Sequence, residues 1–179
     1  MRIGFLRKLR TYIPFDQRIV LYYGLFQSVI DYCCVVWGNT TNKNIDKVFI
    51  LQKRALRTLF ELPFDFPSVD LFSLLNVMSV RQRIFYFTAV ETFKCLKGYG
   101  PQYFSDFFTV QSDVHDYHTR STTRKDFYVP RWSTKYGQRS FQYRAAKVWN
   151  TLPVEIKQTT VLYTFKSDLK DYVKKNVPT

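Results

Sequence analysis

Apolar side chains recur at intervals of three and four residues along much of the first hundred positions, and this period constrains the fold most. Between Pro14 and Gly38 six residues carry it: Ile19, Val20, Tyr23, Phe26, Val29 and Ile30. Such spacings place the side chains on one face of an α-helix, which completes a turn about every 3.6 residues. We therefore predict a helix that begins after Pro14 and ends before Gly38.

The helical period returns in the next segment. The sequence NTTNKN at 39–44 supplies turn and N-cap residues, and Pro63 forbids continuation of a helix. The face between them consists of Ile45, Val48, Phe49, Gln52, Leu56 and Leu59, and the opposite face carries Lys47, Lys53, Arg54 and Arg57. A second helix with a basic outer face is predicted.

Two further helices are predicted before residue 101. Ser68 is suited to cap a short helix that runs to Leu75. Ser79 and Gln82 have the spacing of a capping box, in which each side chain accepts a hydrogen bond from the other residue's backbone N–H. The sequence GYGP at 98–101 ends the helix that follows.

The pattern changes between residues 111 and 136, where polar residues and Pro130 interrupt any helical stripe. Helical signals return from Ser140 to Trp149 and again from Thr164 to Val173. We predict a mainly α fold, a compact multi-helix bundle with an irregular or short β-hairpin segment around 111–136. Residues 1–110 and 111–179 are predicted to form two regions, or else one continuous domain.

The charge balance points to a polyanionic partner. The 179-residue chain has 27 Lys and Arg against 14 Asp and Glu, a formal net charge of +13. Nucleic acid is the first candidate and an anionic membrane surface the second, although no apolar run approaches the roughly 20 residues of a spanning helix. The N-terminal stretch lacks a signal-peptide pattern, so we expect an intracellular protein, nuclear or cytoplasmic and not secreted.

The densest basic segment lies between Thr119 and Lys147, which contains eight Lys and Arg residues and a single acidic residue, Asp126. Interleaved rings (Phe127, Tyr128, Trp132, Tyr136, Phe141 and Tyr143) could stack on unpaired bases while the cations hold phosphates. The alternative is a solvated basic face whose rings anchor a loop to the core. With the weaker signal on the second helix, the predicted nucleic-acid-binding residues are Lys53, Arg54, Arg57, Arg120, Arg124, Lys125, Arg131, Lys135, Arg139 and Arg144.

Catalytic and metal-binding signals are missing from the sequence pattern. There is no Walker loop, nucleophile elbow or HExxH motif, and the aspartates are scattered rather than clustered. His115 and His118 with three cysteines raise the question of zinc, but Cys33 and Cys34 are adjacent and Cys95 stands alone. We expect no catalytic residue, no metal and no cofactor, with reduced thiols in a helical core.

Several motifs, in order along the chain, resemble one protein family. LYYGLFQSVIDY at 21–32, VWGN at 36–39 and LQKRALR at 51–57 are similar to the thumb-side region of jockey-like non-LTR retrotransposon reverse transcriptases. VHDYHTR at 114–120, Tyr136-Gly137, AAKVWNTLP at 145–153 and FKSDLK at 165–170 resemble the C-terminal region of the same proteins. The resemblance covers nearly the whole chain.

The resemblance implies an RNA-directed DNA polymerase whose endonuclease, fingers and palm lie upstream. Nothing here matches the palm's aromatic-x-Asp-Asp signature. The implied function is that of a non-catalytic fragment that binds RNA or an RNA–DNA template-primer, with a full-length reverse transcriptase or its palm domain as a further partner. The alternatives are a protein-interaction or decayed transposon-derived helical domain without nucleic-acid binding, and an independent hydrolase or metal enzyme.

Overall fold

The computed structural model describes residues 2–100, 102–111 and 126–179. The described residues are mainly α-helical, which confirms the predicted fold class. Two compact units are present: residues 1–84 with 177–179, and residues 85–176. The division falls within one helix, whereas the sequence-based boundary at 110/111 stays a prediction.

The first unit begins with α1 (Arg2–Leu9), a helix that the sequence pattern did not predict. The predicted helix between Pro14 and Gly38 is present in pieces: a 3₁₀ turn (Phe15–Gln17), α2 (Arg18–Leu21), a π-helical segment (Tyr22–Gln27), α3 (Ser28–Asp31) and α4 (Cys34–Trp37). The break before α4 comes from Cys33, whose φ of 49° is left-handed. The last piece ends before Gly38, as predicted.

The two following helices agree with their predicted positions. α5 runs from Asn42 to Phe60 and ends at Glu61, whose φ of 56° is also left-handed. Thr41 is its N-cap residue but makes no side-chain capping bond. α6 (Ser68–Leu74) begins one residue earlier than expected, because Pro67 occupies the cap position and Ser68 is already helical.

A buried polar side chain organises the core of the first unit. Gln52 is 0% exposed and lies on the apolar face of α5, among Leu56, Leu59 and other buried residues. Its Nε2 donates to the Tyr22 hydroxyl at 2.8 Å and to the Met78 carbonyl oxygen at 3.0 Å. Its Oε1 accepts from the Val80 N–H at 2.8 Å. Gln52 therefore satisfies polar groups from three parts of the unit.

The helix α7 (Val80–Leu96) begins with the predicted capping box. The Ser79 N–H donates to Gln82 Oε1 at 2.9 Å, and the Gln82 N–H donates to Ser79 Oγ at 3.2 Å. Gly98, with a φ of 71°, follows its end. Local sequence alone was enough to predict both ends of this helix.

The second unit continues with a 3₁₀ segment (Gln102–Phe107), a 3₁₀ turn (Gly137–Arg139), α8 (Phe141–Thr151), α9 (Val154–Gln158) and α10 (Leu162–Asn176). Val110 and Phe127 form an antiparallel β-bridge. The predicted irregular or hairpin segment therefore has extended backbone at its two described flanks. The short helix α9 was not predicted.

Stacked aromatic rings form the core of the second unit. Phe127 stacks on Phe108 and on Trp149, and Trp149 stacks on Phe165, with centroid distances of 4.9, 5.5 and 6.1 Å. Asn150 holds Phe127 in place, because its side-chain amide accepts from the N–H and donates to the carbonyl oxygen of that residue. The segment that leaves the β-bridge is thus anchored to α8.

A buried ion pair lies beside this core. Lys157 Nζ is 2.6 Å from Asp126 Oδ1, and both side chains are largely buried. Asp126 is the one acid of the basic segment 119–147, and its charge is balanced by Lys157 of α9. Among the described residues, no helix is long and apolar enough to cross a membrane.

Candidate nucleic-acid interface

A groove lies beside the contact between α1 and α5 in the first unit. It is open to solvent, has a volume of about 770 Å³ and is lined by four arginines, one glutamate and apolar side chains: Arg7, Arg10, Arg54, Arg57, Glu61, Ile3, Leu62 and Phe64, with Thr58. We call it the arginine groove. Four guanidinium groups against one carboxylate leave an excess of three positive charges.

Two of the four arginines are held in place. Arg10 Nη1 donates to the Thr58 carbonyl oxygen at 2.8 Å, which fixes α1 to the last turn of α5. Arg57 donates through Nη2 to the Phe66 carbonyl oxygen, and its guanidinium carbon lies 5.8 Å from the centre of the Phe64 ring. These contacts preorganise positive charge in the groove, because Arg10 and Arg57 lose little further freedom when an anion binds.

One donor in the groove has no partner among the described residues. Arg57 Nε is buried and makes no hydrogen bond there. Because this N–H is inaccessible to solvent, an anion in the open groove would meet the other donors of the guanidinium and those of the exposed Arg7 and Arg54.

The single acid of the groove is already engaged. Glu61 Oε1 accepts from Arg18 Nη1 at 3.0 Å and lies 3.9 Å from Arg10 Nε. Within the described parts of the chain, no carboxylate lies within ion-pair distance of Arg7, Arg54 or Arg57. The groove therefore keeps its positive potential.

Lys53 is separate from this groove, although sequence spacing grouped it with Arg54 and Arg57. Its Nζ lies 4.5 Å from the centre of the Phe49 ring. Partial burial lowers the pKa of Lys53, and the nearby guanidinium groups of Arg57 and Arg81 lower it further. The structure therefore brings Arg54 and Arg57 together and leaves Lys53 on a neighbouring surface.

Arg7 and Arg10 were missed by the sequence analysis. The N-terminal stretch is too short for a long apolar period to show. The sequence does contain a signal for this helix, because Leu6 and Leu9 are three residues apart, as are Arg7 and Arg10. Nothing in that spacing indicated that α1 packs on α5.

A second basic surface lies in the second unit, which we call the basic loop, residues 130–139. Arg131 and Lys135 are exposed, and the Arg139 guanidinium lies 5.7 Å from the centre of the Tyr136 ring. Tyr136 is 84% exposed. Among the described residues, no carboxylate pairs with Arg131, Lys135 or Arg139.

Local contacts order the basic loop around Trp132. Gln138 Nε2 donates to the Trp132 carbonyl oxygen at 3.1 Å, and the Gly137 N–H donates to Thr134 Oγ1 at 3.1 Å. The Trp132 side chain lies directly on Gly137, where an added Cβ would be 2.8 Å from two ring atoms. The residue at 137 must be glycine for this arrangement.

The remaining cations of the segment have different surroundings. Arg144, on α8, is half-buried, and burial lowers its pKa. Lys147 is exposed, with its Nζ 4.6 Å from the centre of the Tyr143 ring. Of these two, only Lys147 is exposed as freely as Arg131 and Lys135.

The rings of the segment divide between core and surface. Phe127 is 2% exposed and belongs to the aromatic core, as expected if that ring anchors the loop to the core. Trp132, at 45% exposed, and Tyr136 remain accessible. Phe127 therefore anchors the segment to the core, whereas base stacking on Trp132 and Tyr136 stays a prediction.

Several predicted residues lie outside the described part of the chain. They are Arg120, Arg124 and Lys125, together with His115 and His118. Among the described residues, no group of three His, Cys, Asp or Glu side chains is arranged to hold a metal ion. Cys34 and Cys95 are buried and Cys33 is exposed, and none forms a disulfide.

Comparison with protein-family models, with curated proteins and with solved structures gives no match. The resemblance to retrotransposon reverse transcriptases therefore depends on the sequence motifs alone.

Proposed function

We propose that this chain is a non-catalytic nucleic-acid-binding protein that binds RNA or an RNA–DNA duplex through exposed cations and rings. The observation that carries the proposal is the basic loop, where Arg131, Lys135 and Arg139 have no acidic partner among the described residues and the Arg139 guanidinium lies against the exposed ring of Tyr136. Cations neutralise phosphates, and an exposed ring offers a stacking surface to an unpaired base.

The chemistry favours binding with little sequence preference. Base-edge recognition needs side chains held in a fixed orientation, whereas Arg131 and Lys135 are exposed and have no acidic partner among the described residues. Backbone neutralisation and stacking accept any sequence. The predicted residues Arg120, Arg124 and Lys125 belong to the same segment and would extend this surface.

We further propose that the chain derives from the thumb and post-thumb region of a non-LTR retrotransposon reverse transcriptase. The support is the ordered set of motifs between residues 21 and 170, together with a mainly α fold that such a region would have. In this proposal polymerase chemistry belongs to an upstream palm, and the chain contributes only affinity for template and primer. A palm with its Asp-Asp signature encoded upstream of Met1 would support it, and an unrelated upstream sequence would refute it.

The binding proposal is tested by removing loop charges one at a time. R131A, K135A and R139A are each expected to weaken binding of a fluorescent single-stranded RNA to the full chain by about threefold to tenfold, additively. K166A and K170A on α10 remove the same charge elsewhere in the second unit and serve as controls. Equal losses in both sets would mean that net charge, and not the basic loop, controls binding.

A second candidate function is protein interaction without nucleic-acid binding. The observation that favours it is a group of exposed large apolar side chains in the first unit: Tyr12, Phe15, Val20, Tyr32 and Val36. Exposed apolar side chains mark interfaces or promote association where they form a continuous patch. This candidate predicts concentration-dependent dimers in sedimentation, and a monomer at high micromolar concentration would refute it.

A further inference from the structure

We infer that the arginine groove is a discrete site for an anion with two or more linked phosphate groups. The inference does not depend on the proposed function, because that function is carried by the basic loop of the other unit. The sequence pattern did not predict a site of these four arginines together, since Arg7 and Arg10 lie in and just after α1 whereas Arg54 and Arg57 lie in α5.

The charge of the groove sets the class of ligand. An excess of three positive charges exceeds what one phosphate monoester, with a charge near −2, would balance. Linked phosphates place several negative charges within one ligand, and guanidinium groups bind phosphate oxygens in a bidentate manner. A volume of about 770 Å³ is also in the range of small-molecule sites and too large for one phosphate.

The geometry divides the arginines into two roles. Arg10 and Arg57 are half-buried and fixed by backbone carbonyl oxygens. Arg7 and Arg54 are exposed, so their side chains can adjust to the ligand. A combination of fixed and adaptable donors is suited to an elongated polyanion.

The wall of the groove supplies a flat apolar surface. Phe64 lines it and is 76% exposed, with the Arg57 guanidinium as its recorded contact, so much of the ring is accessible to a ligand. A nucleobase joined to the phosphates would stack on this ring. The ligand chemistry is therefore linked phosphates beside a planar ring, which either a nucleoside triphosphate or the 5′-triphosphate end of a strand provides.

The test measures binding to the full chain by calorimetry at physiological salt. Inorganic tripolyphosphate and ATP are expected to bind saturably at one site, and orthophosphate at least tenfold more weakly. R7Q and R54Q, which lose no described contact, should each weaken tripolyphosphate binding by about tenfold or more. K43Q and K47Q, exposed on α5 outside the groove, should change it by less than twofold.

Three results would overturn the inference: no saturable binding of tripolyphosphate, equal losses in the groove and control variants, or orthophosphate binding as tightly as tripolyphosphate. R131A, which tests the proposed function, should leave tripolyphosphate binding unchanged, so the two ideas can fail separately. Circular dichroism establishes that each variant is folded.

Two further arms support the site and assign its occupant. F64A should weaken ATP binding severalfold more than tripolyphosphate binding, because both ligands lose the Phe64 contact that orders Arg57 but only ATP has a base to stack. An RNA oligonucleotide with a 5′-triphosphate is compared with the same strand ending in a 5′-hydroxyl. If the 5′-triphosphate strand binds more tightly than the 5′-hydroxyl strand, and R54Q abolishes this difference, the occupant is the end of a strand. If the two strands bind equally and ATP binds, the occupant is the free nucleotide.

Discussion

The substitution Gly137→Ala tests whether the conformation of the basic loop matters for binding. An alanine Cβ at this position would lie 2.8 Å from Cγ and Cδ2 of Trp132 and 2.9 Å from its Cβ. Ordinary contacts begin at 3.4 Å, so the indole must move by several tenths of an ångström. The atoms in contact are at the base of the side chain, and a rotation of its far end cannot relieve the overlap.

The overlap has a calculable effect on affinity. Forcing extra volume into a packed contact costs about 1–3 kcal/mol. Trp132 is half-exposed, so the loop can rearrange without unfolding the unit, and RNA must then restore the original conformation. The affinity falls in proportion to the fraction of protein that still has the original loop conformation, which gives a loss of about 5-fold to 150-fold.

The assay is fluorescence anisotropy with single-stranded RNA, and tryptophan emission reports the loop rearrangement. Gly24→Ala is the matched control, because an added Cβ there meets nothing within 4 Å and should leave affinity unchanged. The reasoning is refuted if Gly137→Ala shifts the tryptophan emission and yet binds RNA as tightly as the unsubstituted protein.

Three other predictions concern stability and thiol chemistry. Gln52→Met keeps the volume but leaves two buried backbone groups unsatisfied, so chemical denaturation should show a loss of about 2–5 kcal/mol. Lys157→Met leaves the buried Asp126 carboxylate without its ion-pair partner and should cost about 3–5 kcal/mol in the same assay. Burial raises the pKa of the Cys34 thiol from 9.0 to about 12, so iodoacetamide should modify the exposed Cys33 first. The stability that the buried Cys34 thiol contributes should be complete below pH 9 and should be lost as the pH rises toward 12.

Local patterns predicted the helices well where short-range chemistry decides the structure. The Ser79 and Gln82 capping box needs residues three apart, and the structure shows both of its bonds. The left-handed φ at Cys33 could not be predicted in this way, because apolar spacing continues across it. A single backbone break is invisible to a periodic pattern.

The candidate sites depended more on tertiary contacts. The basic loop could be located from its sequence, but the separation of buried Phe127 from exposed Tyr136 required the aromatic core to be known. The arginine groove could not be predicted, since it brings Arg7 beside Arg54, 47 positions away along the chain. Helical periodicity states which face a residue occupies and not which helix covers that face.

The salt dependence of RNA binding tests the central claim most directly. If the three loop cations neutralise three phosphates, the slope of log K against log salt should be about −2 or steeper for single-stranded RNA. The triple variant R131A/K135A/R139A should reduce the magnitude of the slope by about 2, whereas K166A/K170A should not. A flat salt dependence, or the same slope in the triple variant and the unsubstituted protein, would contradict the claim that this chain binds nucleic acid through its basic loop.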